Sequence, residues 1–515
     1  MGKKTGTAST YVTGMVAPKV AIVGAGFGGI AAGVKLLRAG IHSFTIFEQS
    51  DGVGGTWRDN DYPGCEVDVG SHLYSFSFMP YDWSRNYARQ PEVLQYLEDV
   101  AAYYGLNSHC RFGTRVIEAV WNEETATYSV ASQSDEGGSV ERSEFNVVIS
   151  ALGILNHPRY PEWPGLDKFT NRFHTARWDH SQDLRGKRVA VVGTGSTSAQ
   201  VVPELAPVVE KLYVFQREPG YVAPKGSREF SPAERARFKR PLIRRRERFR
   251  MLLPLEMTQF RGSMFRPGTK INSKMKSVCL GFIASSLGDL PDLAAAVTPD
   301  YPYPGKRNVL ADTFYAALRQ DHVELIPRPV LAVTESGIED SEGVHREIDV
   351  LVMATGFQPA NFLATLEVVG RDGLSIHEVW KGEPNACFGI TVPGVPNFFM
   401  LYGPNTNGGE IIHQLETQAD YAVGAIKRML ATGSDWMEAS VPATERWNRY
   451  VQRAIAGTSW QLTNNYYKAA SGRNVTQWPN TASVYRLLVK TFARGAELRG
   501  RRGERPLSAA RRAWR

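Results

Sequence analysis

The chain alternates short, wholly apolar runs with glycine turns and amphipathic stretches. Val20-Ala-Ile-Val23 reads as a buried parallel strand. It runs into Gly24-Ala-Gly26-Phe-Gly-Gly29. A helical pattern follows through Val34, Leu36 and Leu37 and stops at Gly40. Phe44-Thr-Ile-Phe47 is the next strand and ends at Glu48. The same unit recurs roughly 170 residues later. Arg188 to Val192 is a strand, Gly193-Thr-Gly195-Ser196-Thr197-Ser198 a turn, and a helix runs on through Val201 and Leu205. Lys211 to Phe215 closes that unit and leads into Gln216-Arg217. Two further apolar runs end in small residues, Val147 to Gly153 and Asp349 to Gly356. They are expected where the chain passes between domains. From 223 to 301 the pattern is helical and basic.

A chain of 515 residues exceeds one hydrophobic core, so two or three domains are expected. Apolar residues make up 43% and charged residues 22%, which suits a globular enzyme rather than a disordered chain. No run reaches the ~18 apolar residues of a membrane helix, and the start carries no secretory pattern. Residues 1–17 are small and polar and predict no regular element. The four cysteines, at 65, 110, 279 and 387, form no C-x-x-C pair and no zinc spacing. That predicts free thiols in a cytoplasmic protein and no metal, and it excludes a dithiol-dependent flavin reductase.

The net charge of +8 is uneven. From Arg494 onward eight arginines face only Glu497 and Glu504. This end, 493–515, is expected to be a solvated, extended tail; no nucleic-acid partner is expected. The basic run Arg235 to Arg250 alternates with Phe238, Leu242, Ile243 and Phe249, as one face of a structural helix would.

The glycine loops carry the first chemistry. In G-x-G-x-x-G the glycines permit the tight turn, the approach of a pyrophosphate and the packing of helix on strand. Phosphate charge then rests on the helix N-terminus. Gly24, Gly26 and Gly29 have this context, and Glu48 lies where an acid would take ribose hydroxyls. In the second loop, Gly193 and Gly195 are kept and Ser198 stands at the third position. Arg217 replaces the usual acid, which suits a 2′-phosphate and points to NADP rather than NAD. Two such sites in one chain imply hydride passing from a nicotinamide to a flavin.

A third motif is more specific. Gly54-Gly55-Thr56-Trp57 is followed by Tyr62-Pro63-Gly64 and Asp68, matching G-G-x-W-x4-[YF]-P-G-x3-D at every fixed position. Here the sequence resembles the Baeyer–Villiger monooxygenases, class B flavin monooxygenases that use FAD and NADPH. Asp349 to Phe357, with Thr355 and Gly356, resembles the family's D-x4-A-T-G-F linker. The fingerprint F-x-G-x-x-x-H-x-x-x-W-[PD] is met only in part. His174, Trp178 and Asp179 are present, but the spacer from Phe169 is one residue short and Asn171 stands for its glycine.

The resemblance implies two Rossmann-like α/β domains, for FAD and NADP, with a helical insertion. The FAD domain is expected over 18–155 and 357–492. The NADP domain is expected over 156–222 and 302–356, with the insertion at 223–301. Gly55, Thr56, Trp57, Asp68, Ser196, Thr197, Lys306 and Arg307 are implied at the cofactors. Arg307, in Gly305-Lys306-Arg307, and Asp68 are implied as catalytic. A C4a-peroxyflavin would attack a hydrophobic ketone, with O2 as co-substrate, to give an ester or lactone. The physical demand is independent of the family: an anionic oxidant needs a fixed cation, and a guanidinium cannot lose its proton. Oxygenation of nitrogen or sulfur, an NADPH oxidase and a non-catalytic FAD-binding protein are the alternative readings.

Overall fold

The computed structural model describes residues 18–134 and 137–506. Two five-stranded parallel sheets organise it. In the first, the strand Val20–Val23 lies between Phe44–Phe47 and Val147–Ser150, with Cys110–Arg111 and Phe398–Met400 at the edges. In the second, Arg188–Val192 lies between Lys211–Phe215 and Val350–Met353, with Val323–Ile326 and Arg172–His174 outside them. Each glycine loop therefore leaves a central strand where the connections diverge to the two sides. A crevice forms there, past the carboxyl ends of the strands. The central strands are buried along almost their whole length, which is why they read as unbroken apolar runs.

The helix Phe27–Arg38 follows the first loop and Ser196–Leu205 follows the second. Gly29 packs so tightly that an added Cβ would lie 1.9 Å from the Gly24 carbonyl oxygen. The equivalent Ser198 is wholly buried, so the second helix stands far enough off its strand to hold a hydroxymethyl group. Smaller sheets complete each domain: three antiparallel strands between Thr114 and Phe145 with Glu367–Val369 added parallel at the edge, and an antiparallel sheet from Val330 to Glu347. The segment 223–301 carries the helices Pro232–Phe238, Pro241–Gln259, Lys270–Leu287 and Pro291–Ala296.

The expected tail needs correction. Glu497–Gly500 is a strand paired antiparallel with Trp436–Ala439, and Glu497 is ion-paired with Arg428. Glu497 anchors this end to the first domain, and Arg505 reaches Asp372 at 2.8 Å. Composition pointed to self-repulsion, but a partner strand and partner charges were available. Residues 507–515, the rest of that expectation, lie outside the described residues, as do 1–17.

The passages between the domains run side by side. Arg159 N donates to the Gly356 carbonyl at 2.8 Å and Gln358 N to that of His157 at 3.1 Å. The segment 57–68 of the first domain docks on the second. Tyr62 Oη donates to Gln200 Oε1 at 2.9 Å, and Gln200 Nε2 to the Glu66 carbonyl at 3.0 Å. Gly64 has φ +79° and faces the Gln200 carbonyl, where a Cβ would sit at 2.6 Å. This explains the glycine of Tyr62-Pro63-Gly64: two domains meet backbone to backbone.

Gly64→Ala should therefore destabilise the protein more than a glycine replacement in open space. Gly113 has φ +56°, and a Cβ added there would meet nothing within 4 Å. Denaturant unfolding should show about 1 kcal/mol lost in Gly113→Ala and roughly 1–3 kcal/mol more in Gly64→Ala. Equal losses would mean that the domain contact carries no weight.

Candidate active site

The first loop is built for a dinucleotide. Gly26 caps its helix without any side-chain bond, so the first-turn N–H groups keep their attraction for an anion. Glu48, buried at its strand end, accepts from Ala25 N at 2.7 Å and Ser50 N at 2.9 Å. Burial raises its pKa, and these backbone bonds oppose the rise. Glu48 thus braces the glycine loop. Gly55 precedes the short helix Thr56–Asp59, whose Trp57 is buried and donates to Tyr74 Oη at 3.2 Å. Thr56 opens the helix and is exposed.

The second loop has the same form. Gly195 caps without a side-chain bond and has open space beside its Cα. Ser196 and Thr197 are half-buried in the first turn. Arg217 is exposed at the end of the second strand, and Lys306 lies within its electrostatic reach. Lys306 forms an ion pair with Glu218. Burial first, and then Arg217, lower the pKa of Lys306. Two crowded cations at this strand end are what a 2′-phosphate would relieve.

Asp68 and Arg307 come together from 239 residues apart, with Arg307 Nη2 donating to Asp68 Oδ2. Both side chains keep an open side, 39% for Arg307 and 31% for Asp68, within an otherwise enclosed setting. Burial would raise the Asp68 pKa, but the guanidinium overrides it and holds the carboxyl below its ordinary range. Asp68 in turn pushes the Arg307 pKa well up against the cost of burial. Tyr402, Tyr466 and Tyr467 lie within electrostatic reach of the guanidinium. Asn465 Nδ2 donates to the Gly305 carbonyl at 2.9 Å and ties the late aromatic segment to the arginine loop.

The linker residues assemble elsewhere. His174 pairs with Met353 across two strands of the second sheet. Its Nδ1 accepts from Ala176 N at 3.1 Å and its Nε2 is buried without a partner. Burial pulls its pKa down to about 4, so it is neutral at neutral pH. Thr355 Oγ1 donates to the Arg159 carbonyl at 2.6 Å, and Gly356 turns at φ +80°. Trp178 packs edge-on against Phe173, while Asp179 is half-buried and accepts from Ser181 N at 3.0 Å. Neighbouring Arg177 and His180 reach Asp59 at 3.5 Å and Asp61 at 2.7 Å. Among the described residues no hydrogen bond or ion pair joins His174 or Asp179 to the Asp68–Arg307 pair.

Two residues had no sequence signal. Lys225 is buried and paired with Glu66 at 2.7 Å, and its charge helps to hold Asp68 ionised. Glu410, 1% exposed, caps the helix Ile411–Thr432 by accepting from Ile412 N at 2.9 Å and His413 N at 2.7 Å. Arg248 and Glu416 lie within its electrostatic reach, as does Tyr74. Burial dominates and raises its pKa from 4.5 to about 8.

Two dinucleotide crevices and a part-exposed acid–guanidinium pair define a two-cofactor oxidoreductase with a fixed cation. The flavin-binding monooxygenase-like family model matches residues 17–244. A Baeyer–Villiger monooxygenase of Pseudomonas aeruginosa is 37% identical over 482 residues, 92% of this chain and 90% of that protein. Among solved structures, an ε-caprolactone-bound cyclohexanone monooxygenase superposes with TM-score 0.81 at 30% identity, covering 94% of this chain and 99% of that one. The OTEMO complex with FAD and NADP superposes with TM-score 0.83 at 26% identity and the same coverage. The chain belongs to the Baeyer–Villiger monooxygenase family and is a flavin-dependent monooxygenase.

Glu410 generates a pH prediction. Its folded pKa lies above the unfolded value, so between 4.5 and about 8 the folded state binds more protons than the unfolded one. Its contribution to stability therefore falls as pH rises through that window. Glu410→Gln keeps an acceptor for the helix end and removes the titration. Thermal melts should show parent and variant alike near the low end of the window, and the variant the more stable near the high end. Parallel profiles throughout would rule out a titrating Glu410.

Proposed function

We propose that this enzyme binds FAD at the first glycine loop and NADPH at the second, and converts a hydrophobic ketone, O2, NADPH and a proton into an ester or lactone, water and NADP+. The flavin, reduced by NADPH, supplies the activated oxygen. The Asp68–Arg307 pair is the observation that carries the reading. Negative charge grows on oxygen when an oxygen nucleophile adds to a carbonyl. A permanent cation fixed at that place stabilises the charge without reorganising. Asp68 orients the guanidinium, and its single bond to Nη2 leaves the other guanidinium donors for substrate.

The uncapped helix beginning at Ser196 would receive the pyrophosphate of NADPH, and Arg217 with Lys306 its 2′-phosphate. Gly26 and its helix would do the same for FAD, while Glu48 keeps the loop in shape for the ribose. Tyr402, Tyr466 and Tyr467 give the cleft an aromatic wall, which suits an apolar ketone. The cytoplasm is the compartment we assign, because all four cysteines are free thiols.

Stopped-flow reduction followed by product analysis tests both halves. Arg307→Ala should lose ester formation by two orders of magnitude or more, on the order of 3 kcal/mol as for loss of a charge-stabilising donor. Consumption of amines or sulfides but never ketones, or release of hydrogen peroxide alone, would overturn the carbonyl reading. Arg217→Ala should raise KM for NADPH about 10- to 100-fold, the worth of a charged hydrogen bond. NADH kinetics should not move, and an equal loss for both nucleotides would exclude phosphate recognition.

A further inference from the structure

The helix Pro241–Gln259 has two unlike faces. Its inner face holds the segment that follows Asp68. Arg248 Nη1 donates to the His72 carbonyl at 2.5 Å and to the Ser75 carbonyl at 3.1 Å, and Met251 packs on Gly70. Its outer face is apolar where a surface helix should be polar. Leu242, Phe249, Leu253, Met257 and Phe260, just beyond its end, are between 42% and 81% exposed. Steps of seven, four, four and three residues put them in one row along the helix.

The exposed charges of this stretch are all of one sign. Between 231 and 261 there are ten Lys and Arg residues against three Glu. Each acid is engaged: Glu234 with Arg228, Glu247 with Arg250, and Glu256 as acceptor from Ser483 N at 3.2 Å. Arg240, Arg245, Arg246 and Arg250 are exposed, and no acid in the stretch is. The bond to Ser483 also brings up the helix Ala482–Phe492, which exposes Leu487, Lys490 and Phe492.

We infer that this face docks on an anionic lipid bilayer, with the apolar row at the acyl boundary and the arginines among the headgroup phosphates. A row of aliphatic and aromatic side chains flanked by cations matches that interface in polarity and charge. A two-fold contact between copies would set arginines against arginines with no acid to pair them. A nucleic-acid backbone would satisfy the cations and leave the row of Leu, Met and Phe side chains in water. No helix among the described residues is long and apolar enough to cross a membrane, so the contact is peripheral. It places the segment after Asp68 one helix thickness from a reservoir of apolar molecules.

The test is co-sedimentation of the full-length, FAD-loaded protein with vesicles of phosphatidylcholine alone or mixed with phosphatidylglycerol. The parent should bind the mixed vesicles and lose about tenfold or more in affinity on phosphatidylcholine alone. Arg245→Glu combined with Arg246→Glu should show a similar loss on the mixed vesicles. Phe249→Asp combined with Leu253→Asp should abolish binding to both. Flavin absorbance and melting temperature should be unchanged, because these side chains are on the surface. Absence of parent binding, or equal binding by the charge-reversed variant, overturns the inference. So does a parent that is dimeric by light scattering, ignores vesicles and turns monomeric in Phe249→Asp.

Discussion

A guanidinium that must stand fixed in a cleft needs a carboxylate to hold it, and Arg307 is paired with Asp68 across two parts of the chain that share no sheet. Much else follows from that requirement. Asp68 ends a segment that starts at the first cofactor crevice with Gly55 and docks on the second domain through Tyr62, Gly64 and Glu66. Arg307 leaves the second domain on a loop held by Asn465. The ion pair is thus a joint between the domains as well as a charge centre. Loss of either partner would leave an uncompensated charge in a cleft where burial is costly. Lys225 adds a second cation behind the acid, which keeps Asp68 ionised against its own desolvation.

The two glycine loops solve one problem with different tolerances. Both leave a central strand, both start a helix whose end has no side-chain cap, and both can receive phosphate on free N–H groups. Gly29 has a carbonyl against its Cα and admits no side chain, whereas Ser198 fills the equivalent place in the second domain. The departure from the glycine pattern is therefore a difference in helix standoff. The partial H-x-x-x-W fingerprint has a similar explanation. His174 is a neutral strand residue beside the linker, and Asn171 replaces glycine at a point where its amide donates to the Asp349 carbonyl at 3.2 Å.

The insertion connects the cleft to the surface. One helix presents Arg248 and Met251 to the segment after Asp68, and Phe249 and Leu253 to solvent, so a single element serves as cleft wall and outer face. Arg248 turns inward to the His72 and Ser75 carbonyls, while Arg245, Arg246 and Arg250 lie outward.

The amino-acid sequence by itself determined the local units: both strand–loop–helix repeats, Glu48 and Arg217 at their strand ends, and the helical character of 223–301. These depend on residue spacing and on backbone hydrogen bonds within a few turns, so they can be read along the chain. The pairing of Asp68 with Arg307 came only through family resemblance, since nothing local relates positions 239 apart. Lys225, Glu410 and the anchored strand Glu497–Gly500 were decided by the tertiary structure alone. Whether a charge is buried, paired or solvated depends on what the rest of the chain packs against it, and that is a property of three-dimensional neighbours rather than of sequence neighbours.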